Sequence, residues 1–236
     1  MSPSSDFWQR ASKATVDALA LAHGSMALDI GCGAGEATRH MAAAAGAAIG
    51  IDTSKAAIEE ARRLTGPEYE ATFEQAAADD LPFPDGTFAG IRVDRALQHV
   101  EDIGRAAEEI WRVARPGARI AAIEPDWDTL VFDAGPLSAT RTVARAYADG
   151  VRNPIAGRQI ARRLRKLGAT DVTVEPRAAA ITTLAPAEAQ YGLTALAEAA
   201  LNKAAARAWL NTLSQRDAEG TFLCAVTYFL VSAQKP

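Results

Sequence analysis

One short pattern constrains this chain more than any other. The apolar segment Leu28-Asp29-Ile30 runs directly into Gly31-Cys32-Gly33-Ala34-Gly35, and a second apolar run, Ala47-Ala48-Ile49-Gly50-Ile51, closes on the acid Asp52. Glycine at every second position lets the backbone turn tightly and lets a ligand lie against bare peptide. The pattern predicts a strand, a turn, a helix over residues 36–45 and a second strand. An acid at the end of that second strand is placed to accept hydrogen bonds from a ribose diol.

The spacing distinguishes between nucleotides. A dinucleotide loop reads G-x-G-x-x-G and aims a helix N-terminus at a pyrophosphate. Here it reads G-x-G-x-G, and the carboxylate of Asp29 precedes the first glycine. That charge would repel a pyrophosphate and suit a cationic amino-acid moiety, which disfavours a nicotinamide dehydrogenase. Three further motifs follow in order: Leu81-Pro82-Phe83-Pro84-Asp85-Gly86-Thr87-Phe88, then Arg95-Ala96-Leu97-Gln98-His99-Val100-Glu101-Asp102, then Arg112-Val113-Ala114-Arg115-Pro116-Gly117-Ala118. Together, over about residues 25–125, the four segments resemble class I S-adenosylmethionine-dependent methyltransferases. The likeness is to the group typified by ubiquinone and menaquinone biosynthesis enzymes.

The resemblance implies S-adenosyl-L-methionine as cofactor. The backbone of Gly31, Cys32 and Gly33 is then expected against the methionine half, and Asp29 close to its amino group. Asp52 is expected on the ribose hydroxyls and Thr53 on the adenine. The aspartate that the family uses for the adenine amino group is replaced here by Ala77. Asp79 is expected to take that role, with Ala78 supplying a backbone N–H. Asp94 and Arg95 are expected at the methionine end. For proton removal the candidates are His99, whose imidazole is suited to it, and the acids Glu124 and Asp126 after the fifth strand. The histidine pair of related O-methyltransferases is reduced here to His99, because Gln98 occupies the first position. Each of these three also has a structural reading, as a packed histidine or as loop acids. No spacing argues for a metal site.

The chain of 236 residues carries a formal charge of −4, which offers no general basic face for nucleic acid. Its one basic cluster, Arg158, Arg162, Arg163, Arg165 and Lys166, flanks apolar Ile160, Leu164 and Leu167 and reads as the solvated face of a helix. There is no Asn/Asp-Pro-Pro-Tyr/Phe stretch after the fourth strand and no Pro-Cys nucleophile, so nucleic-acid methylation is disfavoured. Two cysteines make no disulfide framework. The first residues lack a basic and then apolar leader, and no apolar run is long enough for a bilayer. A cytoplasmic protein without nucleic-acid or membrane partners, monomeric or homodimeric, is expected.

Alternating strands and helices predict an α/β, Rossmann-like, doubly wound sheet. The resemblance implies seven mostly parallel strands with an antiparallel last strand, and the long insert before that strand reads as a helical lid. The whole of residues 1–236 is expected to be a single domain. An N-terminal helix lies within 1–24, a cofactor-binding core within 25–135 and the lid within 177–219. Residues 125–128 read as a loop and 186–213 as Ala-rich helix. The leading expectation is methyl transfer to a small-molecule acceptor, at O, N or C, in secondary-metabolite or quinone-like metabolism. The alternative is a cofactor-binding protein of the same fold that does not methylate, acting as a scaffold or catalysing another rearrangement.

Overall fold

The computed structural model describes residues 3–236; Met1 and Ser2 of the expected N-terminal segment lie outside the described residues. The elements run α1 (Pro3–Ala18), β1 (Ser25–Ile30), α2 (Glu36–Ala45), β2 (Gly46–Asp52), α3 (Lys55–Leu64), β3 (Ala71–Gln75), β4 (Phe88–Asp94), α4 (Ile103–Val113) and β5 (Ala114–Phe132). Then come α5 (Leu137–Asp149), α6 (Ala156–Lys166), β6 (Thr170–Ile181), α7 (Leu184–Tyr191), α8 (Leu193–Ala200), α9 (Lys203–Ala218) and β7 (Cys224–Gln234). The seven strands form one sheet in the order β3-β2-β1-β4-β5-β7-β6. All pairs from β3 to β5 are parallel, and β7 runs antiparallel to both β5 and β6. This is the expected doubly wound α/β sheet.

Local chemistry sets the boundaries. Gly35 precedes α2 at φ 77°, a conformation that favours glycine. A Cβ there would also stand 2.6 Å from the Phe73 ring. Ser54 caps α3 by accepting the Ala57 N–H at 3.2 Å. Asp102 caps α4 through the Gly104 and Arg105 N–H groups, at 2.7 and 3.1 Å. Strands β1 and β4 are buried on both faces, which matches their near-continuous apolar sequence. The Leu81 and Arg112 motifs, distant in sequence, meet directly: the Arg112 guanidinium donates to the carbonyls of Leu81 (3.0 Å) and Phe83 (2.7 Å), and Glu109 accepts the Leu81 N–H at 2.9 Å.

The apolar interior has two main parts. One lies between the sheet and α4 and α6, around Leu28, Ile91, Ile110 and Leu164. The other joins the far ends of β5 and β7 to α5, α7, α8 and α9, around Trp127, Trp209 and Tyr228.

Three expectations are corrected. Residues 125–128 are not a loop: β5 continues through them, with Pro125 opposite Tyr228 and Asp126 opposite Thr227. The reason is β7, a long apolar partner that extends β5 past the edge of the parallel sheet. The expected lid range begins too early, because β6 runs to Ile181. The Ala-rich stretch is three helices rather than one, because Gly192 adopts φ 60° and ends α7, and Asn202 starts α9 as a cap for the Ala205 N–H.

Candidate functional site

The carboxyl ends of β1, β2 and β4 open into a cavity of about 750 Å³, within the range that holds small ligands. One end is the loop chemistry read from the sequence: Gly31, Asp52, Thr53, Ala78 and Asp79 line it. Gly31 sits at φ 77°, and a Cβ there would come within 2.8 Å of the Asp94 carbonyl. Gly31, like Gly35, is therefore sterically intolerant of a side chain, whereas a Cβ on Gly33 would meet nothing within 4 Å. The Asp52 carboxylate accepts the Gly33 N–H at 3.1 Å through one oxygen and the Ser54 N–H at 2.9 Å through the other. It joins the glycine loop to the start of α3, and its remaining lone pairs are available to a diol. Bare peptide at Gly31 beside that carboxylate fits a ribose-bearing cofactor.

Other residues expected at the site lie elsewhere. Asp29 is fully buried, and its oxygens accept from Thr38 Oγ1 at 2.7 Å and Arg92 Nη1 at 2.8 Å. It is absent from the cavity wall, so its charge is neutralised behind the loop. The Cys32 side chain is buried against Ile58, Ala61 and Phe73, and burial pushes its thiol up, away from thiolate character; the expectation for Cys32 concerned its backbone alone. Asp94 and Arg95 do line the cavity, joined to each other by Arg95 Nε at 2.7 Å from Asp94 Oδ1. Arg92 Nη2 approaches the other Asp94 oxygen at 2.5 Å.

The three candidate proton acceptors separate. His99 is exposed in the cavity wall, on a turn. Glu124 is fully buried, outside the wall, and accepts the N–H groups of Ala96 and Leu97 at 2.7 Å each and of Gln98 at 3.3 Å. Burial pushes its carboxyl up to about 8, against the pull of those N–H donors and with the push of Asp94. It is the anchor of the turn that carries His99. Asp126 is buried in an ion pair with Arg158 from α6. Both acids were expected at the rim. Extension of β5 instead carries Asp126 to Arg158, and Glu124 points under the turn.

The other end of the cavity was not visible in the sequence. Trp8 of α1, Trp127 of β5, Tyr147 of α5 and Tyr228 of β7 line it, with Arg152 and Gln190. Trp8 meets Tyr228 edge-on at 4.7 Å, and Trp127 meets Tyr147 at 4.9 Å. The Arg95 guanidinium lies 4.0 Å from the centre of the Trp8 ring. Gln98 donates to the Arg95 carbonyl at 3.2 Å and accepts from Trp127 Nε1 at 2.8 Å. These residues come from five separate elements, so no local pattern marks them; isolated aromatics are the sole signal, and they read equally as core. Among the described residues, no group of three or more His, Cys, Asp or Glu side chains is disposed to hold a metal ion.

Comparison with known proteins agrees with this geometry. Residues 28–122 match the family described as methyltransferase domain. A 37.1 kDa protein in transposon TN4556 of Streptomyces fradiae is 38% identical over 228 residues, which cover 93% of this chain and 65% of that protein. A demethylmenaquinone methyltransferase of Symbiobacterium thermophilum is 38% identical over 107 residues, 43% of each chain. The chain thus spans less than two thirds of either relative's length. The crystal structure of the YcgJ protein from Bacillus subtilis superposes with a TM-score of 0.68 at 16% identity, covering 96% of this chain and 98% of that one. Over residues 28–122 the chain is thus similar in sequence to methyltransferase domains, and nearly the whole of it shares the fold of that solved structure.

Proposed function

We propose that this chain transfers a methyl group from S-adenosylmethionine to a small-molecule acceptor. One observation carries the reading: a single cavity joins the Gly31–Asp52 end to a chamber walled by Trp8, Trp127, Tyr147 and Tyr228. When bound, the cofactor supplies an electrophilic methyl carbon on a positively charged leaving group, so catalysis is chiefly positioning. Asp52 binds the ribose hydroxyls, Gly31 admits the ligand to the backbone, and Thr53, Ala78 and Asp79 surround the base. Asp94 and Arg95 stand at the junction of the two ends. The aromatic chamber excludes water and holds a flat acceptor. His99 takes the acceptor's proton on a ring nitrogen where that acceptor is a hydroxyl. In this reading α7 and the helices after it form the lid, to which Gln190 belongs.

The protein is read as a monomer or homodimer of the cytoplasm, acting on neither nucleic acid nor membrane. The acidic net charge supports the first exclusion. Among the described residues, no helix is long and apolar enough to cross a membrane.

Titration calorimetry with S-adenosylhomocysteine tests the cofactor half. Wild type binds it, and Asp52→Ala weakens binding by about 1.5–3 kcal/mol, the range for hydrogen bonds to a charged group. Equal affinities in a folded variant remove Asp52 from the site, and no binding by wild type removes the reading.

A further inference from the structure

We infer that the acceptor is an aromatic molecule bearing an oxyanion such as a carboxylate, and that Arg152 selects it. The inference rests on the proposed methyl transfer and names the substrate class of the same cavity. The charges of the wall are accounted for one by one. Arg95 is held by Asp94 and by the face of Trp8. Asp94 is shared between Arg92 and Arg95. Asp52 and Asp79 belong to the nucleoside end. Glu101 is an exposed carboxylate of the wall, next to Asp102, whose N–H donates to Asp79 at 3.3 Å. Of the two guanidinium groups in the wall, Arg152 is the unpaired one: it is exposed and has no hydrogen-bond or ion-pair partner among the described residues.

Its backbone is held firmly. Asn153, the next residue, donates through Nδ2 to the carbonyls of Leu97 (3.0 Å) and Val100 (2.8 Å), and through its N–H to Gln98 at 3.0 Å. Pro154 accepts the Trp127 N–H at 2.8 Å. Arg152 is therefore fastened to the turn that carries His99 and to the strand that carries Trp127, with Tyr147 on the helix just before it. A guanidinium presents a planar fork matched to a carboxylate or phosphate, and pairing there is charge-assisted. Four aromatic rings beside one unpaired fork recognise a flat ring with an anionic group, and they place that ring within reach of the His99 side.

The test is binding in the presence of saturating S-adenosylhomocysteine, whose own binding separately checks the parent reading. The probes are para-hydroxybenzoate, its neutral isostere para-hydroxybenzamide, phenyl phosphate and cationic tyramine, followed by quenching of tryptophan fluorescence and by calorimetry. Wild type is expected to prefer the anionic probes over the amide by about tenfold to a hundredfold, with tyramine weakest. Arg152→Gln is expected to erase that preference, and Arg152→Lys to restore part of it. The ratio of benzoate to phosphate affinity identifies which oxyanion the fork fits. Equal binding of the acid and the amide by wild type, a preference that survives in Arg152→Gln, or binding of none of the probes while S-adenosylhomocysteine binds would each overturn the inference.

Discussion

Replacing Arg92 by Met tests the network that holds the glycine loop, β4 and α1 together. The Arg92 side chain is 3% exposed, and its partner Asp29 is fully buried. The guanidinium reaches Asp29 at 2.8 Å, Thr15 Oγ1 at 2.8 Å and Ser12 Oγ at 3.1 Å, as well as Asp94. The two hydroxyls lose little when Arg92 is removed, since Thr15 already donates to the Ser12 carbonyl at 2.6 Å. Asp94 keeps Arg95 as a partner. Among the described residues Asp29 keeps only the Thr38 hydroxyl, so an uncompensated carboxylate remains in the interior. Breaking a buried pair in this way costs about 3–5 kcal/mol, a large share of a typical total of about 5–15 kcal/mol. For a chain of this size the melting temperature should fall by about 6–20 °C.

Urea unfolding is the assay, read as a shifted midpoint with an unchanged slope. Adding Asp29→Asn to Arg92→Met should recover about 1–3 kcal/mol, because it removes the stranded charge. Arg92→Lys should lie between wild type and Met, since an ammonium cannot span both carboxylates and α1 at once. A loss below about 1 kcal/mol in Arg92→Met, or strict additivity of the two substitutions, would refute the reasoning.

Two further outcomes are expected. His99→Ala should lower methyl transfer to a hydroxyl acceptor by about 10²–10⁴-fold while S-adenosylhomocysteine affinity stays constant; a loss under tenfold makes His99 a wall residue without a proton-transfer role. Glu124, raised by burial to about 8, keeps its proton in the folded protein at pH values where the unfolded chain has lost it. Its contribution is thus fully present below the ordinary carboxylate range and is lost as pH rises through about 8. Urea midpoints measured between pH ~5 and ~8 should therefore fall more steeply in wild type than in Glu124→Gln, and parallel curves would show that Glu124 is already ionised throughout.

The Gly31–Asp52 end of the cavity was legible in the sequence because the determinants are local. A glycine loop between an apolar strand and a helix and an acid closing the next strand each act within a few residues of themselves, and the structure has each of them in that form. Alternation of strand and helix was enough to predict the doubly wound sheet, since right-handed crossovers leave few other arrangements. What only the tertiary structure decided is what stands opposite each charge. Asp29, Glu124 and Asp126 read alike as acids near strand ends, yet they face Arg92, three backbone N–H groups and Arg158 respectively. Those partners lie more than twenty residues away in sequence, and the energetics of a buried carboxylate depend on that partner rather than on its neighbours along the chain. The same holds for the chamber, where Trp8 and Tyr228, near opposite ends of the sequence, come within 4.7 Å because β7 folds back between β5 and β6 and brings the last strand beneath the first helix.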